Sequence, residues 1–345
     1  MLSKPLRIML GLIALLLAGC STDDTLLSDW PDTPRGNFEA LWNIMDRRYC
    51  FFDRKDVDWD EIHRIYGARI SDDMTREELF DICAQMLDEL RDGHVNLVSG
   101  FNTSAYREWW SDYPENFSLR VIQEHYFNYN YRQTSGMLYG FLPQNVGYIY
   151  YSTFSQPVGE GNLDNILAWL ATADGLIIDV RNNGGGELTN VETLVARFID
   201  RPTLVGYISH KTGPGHSDFS KPFEIIYRPA PEGRQRWGKP IIVLANRSTF
   251  SAANNFVAVM KHLPQVRIAG ATTGGGAGVP FSSELPCGWS VRMSSAPMLD
   301  ALGQSTEEGV EPSAGCEASI PPGTTDCDPI LDLAVSLLTG QSEKL

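Results

Sequence analysis

Two short apolar runs constrain this chain more than anything else in it. LIIDV at residues 176–180 and IIVLA at residues 241–245 are dense in β-branched side chains and bounded by Gly, Pro, Arg or Asn. Runs of that length are strands rather than helices, and without polar alternation they are covered on both faces. Both lie in a region, from Asn145 onward, whose rhythm is strand, helix, strand. VGYIYYSTF, NLDNILAWLA, DGLIIDVR, LTNVETLVARFI, PIIVLAN and AANNFVAVMKH follow one another in that alternation. Residues 201–239 interrupt it as a Pro/Gly-rich excursion, and VRIAG with further strands through Met298 completes it. Such a pattern predicts an α/β domain around a largely parallel sheet.

The second apolar run leads into STFSAANN, residues 248–255, and then a helical pattern with Phe256, Val259 and Met260 on one face. Ser251 therefore sits where a strand turns sharply into a helix. One reading makes it an N-cap, satisfying orphan N–H groups with its hydroxyl. The other makes it a nucleophile at the positive end of a helix dipole, with a backbone N–H beside it. This stretch alone does not choose between them.

The chain opens MLSKPLRIMLGLIALLLAGC, a basic start and an apolar stretch too short for a comfortable membrane span. LAGC resembles a bacterial lipoprotein signal, so residues 1–19 are expected to be removed, Cys20 lipidated, and residues 20–36 to form a polar tether. Loss of Lys4 and Arg7 leaves 26 basic against 43 acidic residues, a formal charge of −17. That balance argues against a nucleic-acid partner and for solubility beside a membrane surface. Cys50, Cys83, Cys287, Cys316 and Cys327 remain; Cys316 and Cys327 flank a loop and could pair, but spacing does not fix connectivity. No Cys, His or carboxylate spacing resembles a metal site, and no cofactor is expected.

Residues 37–100 read as a small helical bundle. Phe38, Leu41, Trp42 and Met45 recur at helical spacing, and Asp58 and Thr75 precede two further amphipathic stretches as N-caps. Residues 101–144 form an aromatic and polar connection, and residues 145–340 the α/β core. Three features of these regions could join Ser251 in chemistry. LIIDVRNNGGGE places Gly184, Gly185 and Gly186 after a buried strand, where the backbone can approach a ligand and offer N–H groups. LRDGHVNL places His94 in a turn after a helix, a position equally open to a structural histidine. STEEGVEP crowds Glu307, Glu308 and Glu311 into a turn that by itself reads as a solvated acidic loop.

In this order and spacing, DVRNNGGG, the Ser251 turn and GVEP resemble the tail-specific, or C-terminal-processing, serine peptidases. DGH after an N-terminal bundle is similar to the tricorn-core branch. The resemblance runs from Asn37 to Leu333 and implies a crotonase-like core of strand–strand–helix units. It implies Ser251 as nucleophile, His94 as general base, and Glu307, with Glu308 as the alternative, orienting the imidazole. The N–H groups of Ala252 and Gly185 would receive the oxyanion. The best-known branch uses a Ser/Lys dyad with the lysine in a GKG turn; here that turn is TGGGAG, with Gly276 in its place. Lys261, about 15 Å along the same helix at 1.5 Å per residue, and Lys344 are the lysines beyond Ser251. Histidine is thus the expected base, titrating at about 6–7. Asn254 departs from the glutamate that many relatives carry there. Residues 101–144 are too few for the peptide-binding PDZ module of many relatives, so the aromatic segment 109–131 and the excursion 203–237 would capture substrate. The expectation is a lipid-anchored endopeptidase of the cell envelope acting on peptides or proteins. The alternatives are a catalytically inactive lipoprotein binding peptide or another ligand in the same groove, and an acyl-transferring enzyme on the same scaffold.

Overall fold

The buried runs are adjacent parallel strands in the computed structural model, which describes residues 30–111 and 113–340. Residues 1–19 and Cys20, the expected leader and lipid site, lie outside the described residues. Among those described, no helix is long and apolar enough to cross a membrane. The chain forms two compact units, one from residues up to 106 with 213–218 and 280–293, the other from 107–212, 219–279 and the remainder.

The first unit is helical. α1 (Pro34–Arg48), the single turn α2 (Phe52–Lys55), α3 (Trp59–Gly67) and α4 (Arg76–Asp88) follow one another before the short strand β1 (Asn96–Val98). The expected caps are in place: Asp58 accepts from the Glu61 N–H, and Thr75 with Glu78 forms a reciprocal capping box. Phe38, Leu41 and Met45 of α1 and Leu79, Phe80, Cys83 and Met86 of α4 are buried. β1 pairs antiparallel with residues 290–292, and the Phe80 ring meets Trp289 edge-on at 5.5 Å.

The second unit begins earlier than its sequence rhythm. Short helices α5 (Glu108–Ser111) and α6 (Leu119–Val121) lead through a π-turn to β2 (Arg132–Thr134) and β3 (Met137–Leu142). There follow β4 (Val146–Tyr151), α7 (Glu160–Trp169), β5 (Gly175–Asp179), α8 (Leu188–Val195), β6 (Thr203–Ile208), β7 (Phe223–Tyr227), β8 (Ile241–Ala245), α9 (Ala252–Lys261) and β9 (Val266–Gly270); α10 (Pro329–Thr339) comes last. One six-stranded sheet has the order β2-β3-β4-β5-β8-β9, parallel from β4 to β9 and antiparallel at the β2–β3–β4 side. The excursion at 201–239 contains the antiparallel pair β6–β7, which its Pro and Gly content concealed.

Side chains alternate across the sheet with period two. Ile149, Tyr151, Leu176, Ile178, Ile241 and Val243 pack with α7, α8 and α9; Tyr148, Tyr150, Ile177, Ile242 and Leu244 pack with α10. The buried Arg181 guanidinium donates to Asp179 and to Asp328, the N-cap of α10, and lies over the Phe117 ring. The Asp and Arg of DVRNNGGG thus fasten α10 to the sheet. Breaking such a buried pair from one side typically costs about 3–5 kcal/mol. The five cysteines among the described residues are unbridged, including Cys316 and Cys327.

Candidate active site

Neighbouring parallel strands end at the same edge of the sheet, where open α/β sheets bind ligands. The loops leaving β4, β5, β8 and β9 are knitted together there by backbone bonds. Phe154 N–H donates to Gly185 O at 2.9 Å, Phe250 N–H to Asn183 O at 3.0 Å, and Ser251 N–H to Gly275 O at 2.8 Å. Thr249 Oγ1 donates to Val180 O, and the Gly274 N–H to Thr249 O. Each loop therefore fixes its neighbour's register.

Ser251 occupies φ 56°, ψ −122°, and its side chain makes no capping bond to α9. The cap reading is overturned. A non-glycine residue in that region is strained, and such strain persists where surrounding structure enforces it. The result is a sharp strand-to-helix elbow with the serine half-exposed at the N-terminus of α9. Among the described residues no bond is made by the Ala252 N–H, the first of the helix.

Gly185 packs directly on this elbow. At φ 98°, a Cβ on it would lie 2.8 Å from both Ser251 Cβ and Ala252 N, so only glycine fits. Its N–H, however, donates to Asn183 Oδ1 at 2.9 Å in an Asx turn. The expected oxyanion donor is therefore already engaged. Among the described residues the N–H groups of Gly184 and Gly186 in the same turn carry no bond. The buried Asn183, whose Nδ2 donates to Tyr151 O, is the residue sequence reasoning missed; two asparagines before a glycine run were its signal.

The two glutamates separate clearly. Glu307 is 5% exposed, while Glu308 faces solvent. The turn TGGGAG, where the lysine branch carries its base, cradles Glu307: Gly276 N–H donates to Glu307 O at 3.1 Å and Ala277 N–H to Glu307 Oε2 at 2.7 Å. Gly275, at φ 83°, lies so close to Glu307 O that a Cβ would collide with that carbonyl. Lys261 is exposed and donates to Glu311 O at 2.9 Å. Trp109 stacks on Phe250 with ring centroids 4.3 Å apart, which brings the aromatic segment onto the Ser251 turn. A cavity of about 370 Å³ beside it is lined by Trp110, Tyr113, Asn182, Asn246, Arg247 and Ser248 among others.

His94 belongs to the helical unit. Its backbone N–H donates to Asp92 Oδ1 at 2.7 Å, and Asp92 Oδ2 accepts from the Tyr49 hydroxyl at 3.0 Å, so the DGH turn is rigidly held. The imidazole is 2% exposed. Burial drives its pKa down to about 4; Asp92 opposes the shift, and Arg292 and Lys55 add to it. The expected range of 6–7 took no account of desolvation.

Residues 145–314 match Peptidase family S41, and residues 31–88 match the Tricorn protease C1 domain. A structurally characterised protein from Parabacteroides merdae, described as a candidate peptidase, is 45% identical. The similarity covers 91% of this chain and 99% of that one, with a TM-score of 0.84. The chain belongs to peptidase family S41. The carboxy-terminal processing protease CtpA of Bacillus subtilis is 29% identical over 175 residues, 50% of this chain; the match spans only about a third of that relative's length, 35%. The photosystem II D1 C-terminal processing protease shares the fold at 17% identity, with a TM-score of 0.53 over 88% of this chain and 97% of that one.

Proposed function

We propose that this family member is a serine endopeptidase of the cell envelope working through Ser251, His94 and Glu307. The observation that carries the reading is the uncapped, strained Ser251 elbow, with the unbonded Ala252 N–H on one side and the buried Glu307 cradle on the other. Ser251 Oγ attacks the scissile carbonyl. His94 takes its proton and returns it to the leaving amine. A histidine held near 4 is a weak base, so the carboxylate must favour the imidazolium as it forms; Glu307 supplies that charge. The Ala252 N–H and an N–H of the 184–186 turn receive the oxyanion, each donor contributing about 3–4 kcal/mol. Asn183 competes for the Gly185 donor, so Gly184 or Gly186 is the better second candidate.

Peptides and proteins are the substrate class the family implies. The core is read as crotonase-like, and capture is assigned to the chain's own loops. In support, β2 and β3 extend the main sheet, and Trp109 with the cavity beside it flanks the elbow. A separate PDZ domain then has no place between Gly100 and Val146. A fluorophosphonate probe should label Ser251, located by peptide mass spectrometry, and leave a folded Ser251→Ala variant unmarked. A folded wild-type chain that resists the probe would instead be a peptide- or ligand-binding lipoprotein on the same fold.

The envelope location rests on the LAGC box. Cys20→Ala should release the protein from membranes or leave an uncleaved precursor. A variant that matures and fractionates like the parent would refute the lipid anchor.

A further inference from the structure

Asn254, one turn beyond Ser251 on α9, is fully buried yet polar. Its two ends do different work. Asn254 Oδ1 accepts from Thr273 Oγ1 at 2.6 Å, and Thr273 Oγ1 in turn accepts from the Val310 N–H at 2.6 Å. Asn254 Nδ2 donates to Thr306 O at 3.1 Å and to Thr306 Oγ1 at 3.2 Å. Thr273 N–H also donates to Val310 O at 3.1 Å. The amide thus grips both sides of the segment that carries Glu307: Thr306 immediately before it, Val310 three residues after.

We propose that Asn254 is a positioning residue that sets the Glu307 carboxylate from the nucleophile's own helix. This deepens the Ser–His–Glu reading and rests on it. The direction of the bonds explains why asparagine serves here and a carboxylate does not. The Thr306 carbonyl can only accept, so the group facing it must donate, while the Thr273 hydroxyl, already accepting from Val310, has its proton to give. One side chain of this size offers a donor and an acceptor on the same planar group. A carboxylate at 254 would set oxygen against the Thr306 carbonyl and bury a charge in place of a neutral amide. Because both tethers start on α9, the nucleophile and Glu307 are tied to one rigid element, which site precision requires.

The test combines Asn254→Ala, Asn254→Asp and Thr273→Val in the full chain, with Ser251→Ala as reference. Amide hydrogen exchange should speed up at Glu307 to Val310 in Asn254→Ala and Thr273→Val while the sheet strands keep their protection. That readout is independent of catalysis. With a peptide substrate, kcat should fall on the order of 10–100-fold, within the range a poorly supported general base loses, and KM should stay within about twofold. The acid limb of kcat/KM should move to lower pH, because a loosened carboxylate favours the imidazolium less. Asn254→Asp should be worse than Asn254→Ala, and the Asn254→Ala/Thr273→Val pair should cost less than the product of the singles. Unchanged exchange at 307–310 overturns the tether whatever the activity. Faster exchange with unaltered kcat and acid limb overturns the positioning role. Full turnover by Ser251→Ala overturns the catalytic reading and the positioning role with it, while exchange still reports the tether.

Discussion

Ser251→Ala and His94→Ala should each remove nearly all turnover, a loss on the order of 10⁴-fold or more in kcat, and the double variant should cost little beyond either single. In the proposed pair, as in any nucleophile with its base, the two members would act as one unit, so removing the second takes away a contribution already lost. Lys261→Ala is the control. Its ammonium is exposed and bonded to the Glu311 carbonyl, one helix length from the elbow, so kcat/KM should stay within about twofold. A large Lys261 effect, or strict additivity of Ser251 and His94, would refute the assignment. The pH profile distinguishes the base independently. With the His94 pKa lowered to about 4 by burial, kcat/KM should hold its plateau down to about pH 5 instead of declining through 6–7. The same shift couples to stability. Between pH 6.5 and 4 the unfolded histidine binds a proton that the folded one refuses. Stability should therefore fall as pH drops through that window, by about 3 kcal/mol at most for one group. Denaturant titrations of His94→Gln should show a shallower loss over the same range. An acid limb near 6.5, with no change of slope in the variant, would mean that the imidazole is not desolvated.

The elements that chain chemistry dictates locally were legible from residues alone. Buried strands announce themselves by unbroken β-branched runs, and α3 and α4 by Asp58 and Thr75, whose side chains close orphan N–H groups. Ser251 was legible as a turn but not as an elbow. Cap and elbow share the same sequence signature, and φ 56° with no side-chain capping bond marks the elbow. What stayed hidden depends on folded geometry that no motif encodes. Asn183 engages the Gly185 N–H two residues on, which occupies the donor expected for the oxyanion without changing any motif. Asn254 meets Thr273 and Thr306, 19 and 52 residues away, so its polarity looked like a departure from a family pattern. The low pKa of His94 comes from burial that no spacing in LRDGHVNL encodes. β6 and β7 were concealed because their pairing carries them through a stretch whose composition reads as loop.

Glu307→Gln should lower kcat by on the order of 10³–10⁴-fold, whereas Glu308→Gln should leave it within about twofold. The two residues are adjacent in STEEGVEP, and sequence register alone could not separate them. Burial does: Glu307 is 5% exposed, with one carboxylate oxygen fixed by the Ala277 N–H, and Glu308 is open to solvent. A glutamine at 307 keeps the shape and can still accept from Ala277 through its carbonyl oxygen. In the proposed triad the remaining position then carries an NH₂, which would donate where a carboxylate would accept and disfavour the imidazole tautomer needed for proton abstraction. It also removes the charge assigned to steady the imidazolium. In serine hydrolases the equivalent acid-to-amide change costs about 10⁴ with geometry intact. Circular dichroism and fluorophosphonate labelling separate loss of fold from loss of chemistry. Glu307→Gln should stay folded and label slowly, since the serine remains but its base is misdirected. Equal kcat for Glu307→Gln and wild type, or a larger loss in Glu308→Gln, would assign the third member elsewhere and leave the TGGGAG cradle a purely structural feature.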